Sequence, residues 1–152
     1  VASHDDATLA HVQESASFGM SIAEFPTTME AAKASHELGL KVLMGAPNIV
    51  RGGSHSGNIA AAELARHGVL DILSSDYYPS SLLQAALLLA GQDNGYDLPR
   101  AIATVSRVPA QAAGLHDRGE IRVGLRADLV QAQVHAGQAV IQQVWREAKR
   151  VF

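Results

Sequence analysis

An aspartate that follows an apolar run is the residue best placed for chemistry in this chain. Residues 70–73 form a run that is apolar apart from Asp71. Ser74, Ser75 and Asp76 follow it, and Pro79 interrupts the chain before another helix begins. Carboxylates at the carboxyl ends of buried parallel strands carry the chemistry of α/β barrels and doubly wound sheets. From the residues alone, Asp76 is equally well a catalytic residue (a metal ligand or a general base) or a cap of the following turn.

A second group with metal-binding chemistry stands near the start of the chain, where His4, Asp5 and Asp6 follow what looks like the tail of a strand. A neutral imidazole beside carboxylates suits a divalent metal ion. The alternative is an ordinary helix N-terminus, where the helix dipole favours acidic side chains. Glu24, at the end of another predicted strand, remains open between a metal ligand, an acid and a salt-bridge partner.

The polar loop at residues 51–58 has the composition of a phosphate-binding loop. Its glycines allow backbone amides to turn inward, its serines add donors, its arginine adds a fixed positive charge, and a predicted helix follows directly. It is not a Walker motif, because Gly-Lys-[Ser/Thr] is absent. A flexible surface loop is the alternative. The predicted phosphate-binding residues are Arg51, Gly53, Ser54, His55, Ser56 and Asn58, with His55 also a candidate acid.

The elements that must position these residues repeat one unit three times: an alanine-rich helix, a glycine, a short apolar strand and a polar turn. Helices alternating with short buried strands predict βα units and a parallel sheet. Because the carboxyl ends of parallel strands lie on one side, His4, Glu24, Asn48 and Asp76 are expected to share one rim. The predicted helices span residues 8–18, 27–38, 59–67, 82–90, 98–105 and 109–113, and the strands 20–25, 41–44 and 70–73.

Two local signals refine this pattern. Thr27 and Glu30 have the spacing of a capping box and are expected to open the second helix. From Gly119 the pattern changes to short antiparallel strands, predicted at residues 119–130, 139–145 and 150–152, with His135 in an irregular polar stretch between them. Such strands are too few to form a stable sheet alone, so they are expected to need partner strands that this chain does not contain.

Composition narrows the class of protein. The chain has 152 residues, 47% hydrophobic and 18% charged, which is enough for one globular domain. Net charge of −3 and 5% aromatic residues argue against nucleic-acid binding. With no cysteine, a metal must be held by His, Asp or Glu. No apolar run reaches the roughly 18 residues of a membrane span. The first residues lack an initiator Met and a signal-peptide pattern, so we expect a fragment.

Several stretches together resemble the amidohydrolase superfamily. Residues 108–115 and 117–130 resemble its C-terminal signature, where the chain leaves a (β/α)8 barrel and returns to a small β-sandwich. Residues 3–6, 24–28, 45–48, 51–58 and 73–77 resemble a phosphonate-metabolism branch of it. The resemblance implies the C-terminal half (strands five to eight) of a metal-dependent-hydrolase TIM barrel in residues 1–118, and returning strands of a composite β-sandwich in residues 119–152.

The resemblance also implies roles for the site residues. His4 and Asp76 are expected to bind one or two divalent metal ions (Zn, Mn or Fe), with Asp76 orienting or deprotonating the attacking water. Glu24 stands where the superfamily has its strand-six histidine and is the candidate third ligand. Arg51 and Ser54 are expected to hold the polyphosphate of a phosphorylated ribose, from which hydrolysis releases diphosphate.

Further expectations concern the surroundings of the site. Its remaining ligands would lie in the missing N-terminal half of the barrel, and we expect a cytoplasmic homo-oligomer. A deaminase or cyclic-amide hydrolase of the same superfamily, and an inactive fragment that only binds phosphorylated ligands, are the alternatives.

Overall fold

Four short parallel strands with helices between them form the first part of the chain, and three antiparallel strands form the last. The structure is a computed structural model that describes residues 1–54, 56–91 and 93–152. The helices are α1 (Leu9–Ser17), α2 (Met29–Glu37), α3 (Ala46–Arg51), α4 (Ala61–Arg66), α5 (Ser81–Ala90), α6 (Leu98–Ala103) and α7 (Arg107–Ala112). The strands are β1 (Ala2–His4), β2 (Ile22–Glu24), β3 (Lys41–Gly45), β4 (Ile72–Ser74), β5 (Leu129–His135), β6 (Gln138–Arg146) and β7 (Lys149–Arg150).

The parallel sheet has the order β1-β2-β3-β4, so each strand pairs with the next one along the chain. The register places His4 opposite Glu24, Glu24 opposite Leu43, and Gly45 opposite Ser74. Short antiparallel turns cannot join parallel neighbours, and helices make each crossover. The predicted parallel sheet of βα units is therefore confirmed, and all four carboxyl ends lie along one rim.

The core lies between the sheet and the helices. Val42, Leu64, Leu73 and Leu89 are almost completely buried, and alanines of the helices pack among them. Along the strands Ser3, Ala23 and Val42 are buried, whereas their neighbours His4 and Glu24 are more exposed. Since successive side chains of a strand point to opposite faces, one face of the sheet is covered by helices and the other carries the strand-end polar groups.

The capping box predicted at Thr27 and Glu30 is wrong by one residue. The N-cap of α2 is Thr28, whose side chain accepts a hydrogen bond from the Ala31 amide at 3.1 Å. The Glu30 carboxylate instead accepts a bond from the Leu9 amide at 3.4 Å and so connects α2 to the start of α1. Adjacent threonines left the register of the cap ambiguous in the sequence.

Residues 45–58 contain a helix, although the sequence pattern predicts a loop there between the strand at 41–44 and the helix at 59–67. Helix α3 begins directly after β3, with Pro47 in its first turn, and ends at Gly52, which has a left-handed φ of 81°. Proline in the first turn and glycine after the last are favourable helix boundaries. The prediction of an uninterrupted loop was therefore wrong, and the irregular segment is confined to residues after α3.

The antiparallel sheet has the order β5-β6-β7 and contacts the helices through Gln84. The side-chain amide of Gln84 donates to the Gly137 carbonyl at 3.1 Å, and the side-chain carbonyl of Gln84 accepts from the Ala139 amide at 2.9 Å. Val130 and Val134 are more than half exposed. One face of this sheet therefore leaves apolar side chains uncovered.

Two predictions for the C-terminal segment are wrong. Residues 119–128 form turns rather than a strand, and the segment crosses α7 so closely that a Cβ at Gly119 would lie 2.7 Å from the Arg107 Cα. An ion pair joins the two segments at this crossing, from Arg107 Nη1 to Glu120 Oε2 at 3.6 Å. His135 is the last residue of β5 rather than part of an irregular stretch.

Within the three described ranges, none of the helices has the length and apolar character that a membrane crossing requires.

Candidate functional site

Three strands of the parallel sheet are followed by non-glycine residues with left-handed backbone. Asp5, Phe25 and Asp76 have φ values of 57°, 54° and 50°. The ladder continues into the first two, because the Asp5 amide donates to the Glu24 carbonyl at 3.0 Å and the Phe25 amide to the Leu43 carbonyl at 2.9 Å. Left-handed backbone costs roughly 1–3 kcal/mol for such residues and clusters at functional sites. The strained positions mark this rim as the candidate site.

A pocket of about 470 Å³ opens at the rim. It brings together six of the residues predicted for the site, from strand ends on both sides of the sheet and from the loop after α3. Those six residues are His4, Arg51, Ser54, Ser56, Asn58 and Asp76. An imidazole, a carboxylate, a guanidinium and several hydroxyl and amide groups therefore face one space. A larger cleft of about 1530 Å³, between α5 to α7 and the antiparallel sheet, contains none of them.

The His4 imidazole is held by the Glu24 carboxylate. Nδ1 of His4 lies 2.9 Å from Oε2 of Glu24, and a carboxylate only accepts, so Nδ1 carries the hydrogen. Nε2 lies 3.5 Å from Oδ2 of Asp5, and the Phe25 ring packs edge-on at a centroid distance of 5.7 Å. The hydrogen bond to Glu24 raises the pKa of His4 above 6.5, with the charge of Asp5 adding to it and partial burial opposing it.

This arrangement gives Glu24 a definite place. It pairs with His4 across neighbouring strands and is not among the residues that line the pocket. Metal-binding histidines commonly donate their second ring nitrogen to a carboxylate, which fixes the tautomer and leaves the other nitrogen for the ion. Glu24 therefore lies where it would orient a ligand, while its direct metal binding stays a prediction.

The loop after α3 differs in two respects from the predicted phosphate cradle. The amides of Gly52 and Gly53 donate to the carbonyls of Ile49 and Asn48, at 3.1 and 2.9 Å, and thereby close α3. Gly53 is not among the residues that line the pocket. The amides of Gly52 and Gly53 are therefore engaged in α3 and do not turn inward to the pocket.

The helix after the loop is also engaged. α4 begins at Ala61, two residues later than predicted, and the Ala61 amide donates to the side-chain oxygen of Asn48 at 3.0 Å. Asn48, predicted on the rim, lines the pocket and caps this helix from a distance. Asn48 therefore engages the first amide of α4, and a contribution of the helix N-terminus to anion binding stays a prediction.

The polar groups available around the loop are side chains, namely two serine hydroxyls and the guanidinium at the end of α3. The hydroxyls of Ser54 and Ser56 lie 3.1 Å apart, and the Arg51 guanidinium lies 5.6 Å from the centre of the Tyr77 ring. A cation at that distance over an aromatic face is attracted to it. Tyr77 lines the pocket and was not predicted, although its position directly after Asp76 was a signal. His55 lies outside the described residues.

The donors present fit part of a divalent metal site. His4 offers Nε2 and Asp76 offers a carboxylate to the same pocket. In the described ranges no group of three or more His, Cys, Asp or Glu side chains is arranged to hold a metal ion. The carboxylate on Nδ1 of His4 is the feature of this chain that matches a metal-binding imidazole.

Comparisons with known proteins give the chain its relatives. Residues 4–141 match the amidohydrolase family. The chain is 62% identical over 153 aligned residues to the α-D-ribose 1-methylphosphonate 5-triphosphate diphosphatase of Escherichia coli (strain K12). That alignment covers all of this chain and 40% of the E. coli protein. It is 44% identical over 73 residues to an imidazolonepropionase of Ruegeria sp. (strain TM1040), covering 45% of this chain and 18% of that protein.

Solved structures share the fold. An amidohydrolase from Thermotoga maritima MSB8 superposes with a TM-score of 0.74 at 22% identity, over 100% of this chain and 43% of that one. A prolidase complexed with N-methylphosphonate-L-proline superposes with a TM-score of 0.70 at 19% identity, over 99% of this chain and 44% of the prolidase. The chain thus spans less than half the length of the proteins it resembles.

The pKa of His4 tests the Glu24 contact. We expect Glu24→Gln to lower the pKa of His4 towards 6.5, because an amide can still accept the bond but carries no charge. NMR titration of the His4 ring in metal-free protein measures this, with Glu63→Gln at an exposed position of α4 as the control. Since the folded pKa is raised, the pair stabilises the fold below pH 6.5, and the effect is lost as the pH rises through the raised value. An unchanged His4 pKa in Glu24→Gln would contradict the assignment.

Proposed function

The chain belongs to the amidohydrolase family, and we propose that it forms part of the active site of a metal-dependent phosphoanhydride hydrolase. The proposed substrate is α-D-ribose 1-methylphosphonate 5-triphosphate, and the proposed products are diphosphate and the ribose 5-phosphate ester. The E. coli relative that carries this activity in its name aligns over the whole of this chain. We propose the activity in that relative's name for the protein to which this chain belongs.

One observation carries the proposal, which is that four groups line a single pocket. They are the His4 imidazole, the exposed Asp76 carboxylate, the Arg51 guanidinium and the Ser54 hydroxyl. Hydrolysis of a phosphoanhydride needs water to be activated and charge on the phosphates to be neutralised. His4 and Asp76 suit the first task, and Arg51 with Ser54 suits the second. These groups come from different elements, and the parallel sheet brings them together.

His4 and Asp76 would hold the metal ion, with Glu24 fixing the His4 ring. A divalent cation supplies a lowered pKa for bound water and positive charge against the phosphate oxygens. Within this chain, Glu24 keeps the hydrogen of His4 on Nδ1, which leaves the lone pair of Nε2 directed away from that contact. Zn, Mn and Fe all suit an imidazole–carboxylate set.

Asp76 would orient the attacking water and accept its proton. Water adds across the anhydride that joins the α- and β-phosphates, that P–O bond breaks, and diphosphate leaves with the β- and γ-phosphates. An exposed carboxylate at the pocket wall can take up the proton and release it to solvent. Its left-handed backbone is a conformation in which aspartate is tolerated better than most side chains.

Arg51, Ser54, Ser56 and Asn58 would bind the polyphosphate. Guanidinium groups recognise phosphate oxygens through paired hydrogen bonds, and the serine hydroxyls can reorient to donate. The Tyr77 ring under the Arg51 guanidinium limits the positions that this long side chain adopts. His55 and Gly53 remain predictions for the same surface.

Further strands are needed to complete the proposed site. β1 and β4 each pair with one neighbouring strand among those described, and unpaired strand edges recruit other strands. We infer that the four strands are half of an eight-stranded barrel, and that additional strands supply the missing metal ligands. The uncovered apolar face of the antiparallel sheet would then be covered as part of a composite β-sandwich.

A second candidate is hydrolysis of a cyclic amide. The partial match to an imidazolonepropionase favours it, but that match covers 45% of this chain. The arginine–serine loop at the pocket favours a phosphorylated substrate instead. Parallel assays with a ribosyl triphosphate and a cyclic amide separate the two, and turnover of the amide alone would replace the proposal.

Asp76→Asn tests the catalytic role. We expect kcat to fall at least about a hundredfold with binding retained, because the amide keeps the shape of the carboxylate but cannot accept a proton. The assay follows diphosphate release by a protein that carries a complete set of barrel strands. Asp93→Asn, at an exposed loop position outside the pocket, is the matched control. Unaltered turnover in Asp76→Asn would remove Asp76 from the mechanism.

Arg51→Ala tests the phosphate-binding role. We expect the affinity for inorganic triphosphate to fall about tenfold to a hundredfold, since a charge-assisted hydrogen bond is lost. Calorimetric titration of this chain measures the affinity, and Arg66→Ala at an exposed position of α4 is the control. Equal losses in both variants would indicate a nonspecific charge effect.

The need for further strands is tested by comparing two lengths of polypeptide. We expect this 152-residue chain alone to show no ribosyl triphosphate hydrolysis. A longer polypeptide that supplies the other strands should bind metal and turn over. Metal content per chain and diphosphate release measure the difference. Robust turnover by the 152-residue chain would show that no additional strands are required.

A further inference from the structure

Gly45 lies directly beside the carboxylate of Asp76. A Cβ built at Gly45 would lie 3.0 Å from Oδ2 of Asp76, 3.4 Å from its Cβ and 3.6 Å from its Cγ. All three contacts involve that one side chain. The strand register explains the proximity, since Gly45 pairs with Ser74, two residues before Asp76.

The backbone at position 45 does not itself require glycine. Gly45 has φ −72° and ψ 129°, an extended conformation open to any residue. It is also the N-cap of α3, where Ser, Thr, Asp or Asn would add a hydrogen bond that glycine cannot make. The available reason for glycine is therefore the space that the Asp76 carboxylate occupies.

We propose that Gly45 is a positioning residue, whose absent side chain forms the seat of the Asp76 carboxylate at the wall of the pocket. Both residues line that pocket. Asp76 itself holds a left-handed backbone with a φ of 50°, which few non-glycine residues adopt. A strained backbone on one strand end and a vacant Cβ position on the neighbouring strand together direct a carboxylate to one place. The functional part of this inference rests on the proposed role of Asp76.

The expected consequence of a side chain at position 45 is displacement rather than unfolding. Asp76 is exposed, so its carboxylate can rotate away from an added methyl group without disturbing the core. Gly45→Ala should therefore keep the thermal midpoint of the wild type while moving the carboxylate. A misplacement approaching 1 Å in a reacting group lowers turnover by as much as a hundredfold.

Crystal structures and kinetics of Gly45→Ala test the proposal together, both measured on a polypeptide that carries a complete set of barrel strands. We expect the Asp76 carboxylate to be displaced, kcat to fall about ten- to a hundredfold and KM to stay near the wild-type value. In an Asp76→Asn background the same change should lower kcat no further. Gly91→Ala is the matched control. Its backbone is not left-handed, and its added Cβ would make ordinary contacts at 3.6 and 3.7 Å at the end of α5.

The outcomes separate the proposal from the function on which it rests. An unmoved Asp76 carboxylate in Gly45→Ala overturns the proposal, whatever the kinetics. A displaced carboxylate with unchanged kcat also overturns the proposal. A lower thermal midpoint together with a lower kcat and a higher KM overturns it as well, because general destabilisation would explain those changes. Absence of ribosyl triphosphate hydrolysis by a wild-type polypeptide that carries a complete set of barrel strands would refute the proposed function, and the crystal structures would still decide whether Gly45 seats the carboxylate.

Discussion

Parallel pairing of four very short strands is the constraint on which the candidate site depends. Each strand runs in the same direction and pairs with the next, so every carboxyl end reaches the same rim. His4 on β1 and Asp76 after β4 lie far apart in sequence but line one pocket for that reason. Antiparallel pairing would send alternate strand ends to opposite edges and separate the imidazole from the carboxylate.

The sequence predicts the parts of the fold that follow from repetition. Alanine-rich helices, a glycine after each and short apolar strands predict the parallel sheet, and they place His4 and Asp76 at one edge. The loop chemistry was less predictable. Pro47 favours a helix start as well as a turn, and only the packing after β3 selects the helix. The Gly52 and Gly53 amides close that helix, so side chains remain to bind phosphate.

Contacts between distant segments account for the other differences. Residues 119–128 have the alternating pattern of a strand, but Gly119 is pressed against Arg107 and the following charged residues form ion pairs. No local pattern encodes that crossing. In the same way, nothing near Glu24 in the sequence indicates that it will hold His4, because their contact depends on the register of β1 against β2.

The central claim is that one rim pocket combines a metal-binding imidazole with the Asp76 carboxylate. A crystal structure grown with Mn²⁺, with the ion located by anomalous scattering, tests it most directly. We predict an ion at roughly 2.0–2.2 Å from His4 Nε2, with Glu24 on Nδ1 and the Asp76 carboxylate facing the same ion or its water. An ion bound elsewhere at saturation, with His4 Nε2 and Asp76 both uninvolved, would contradict it.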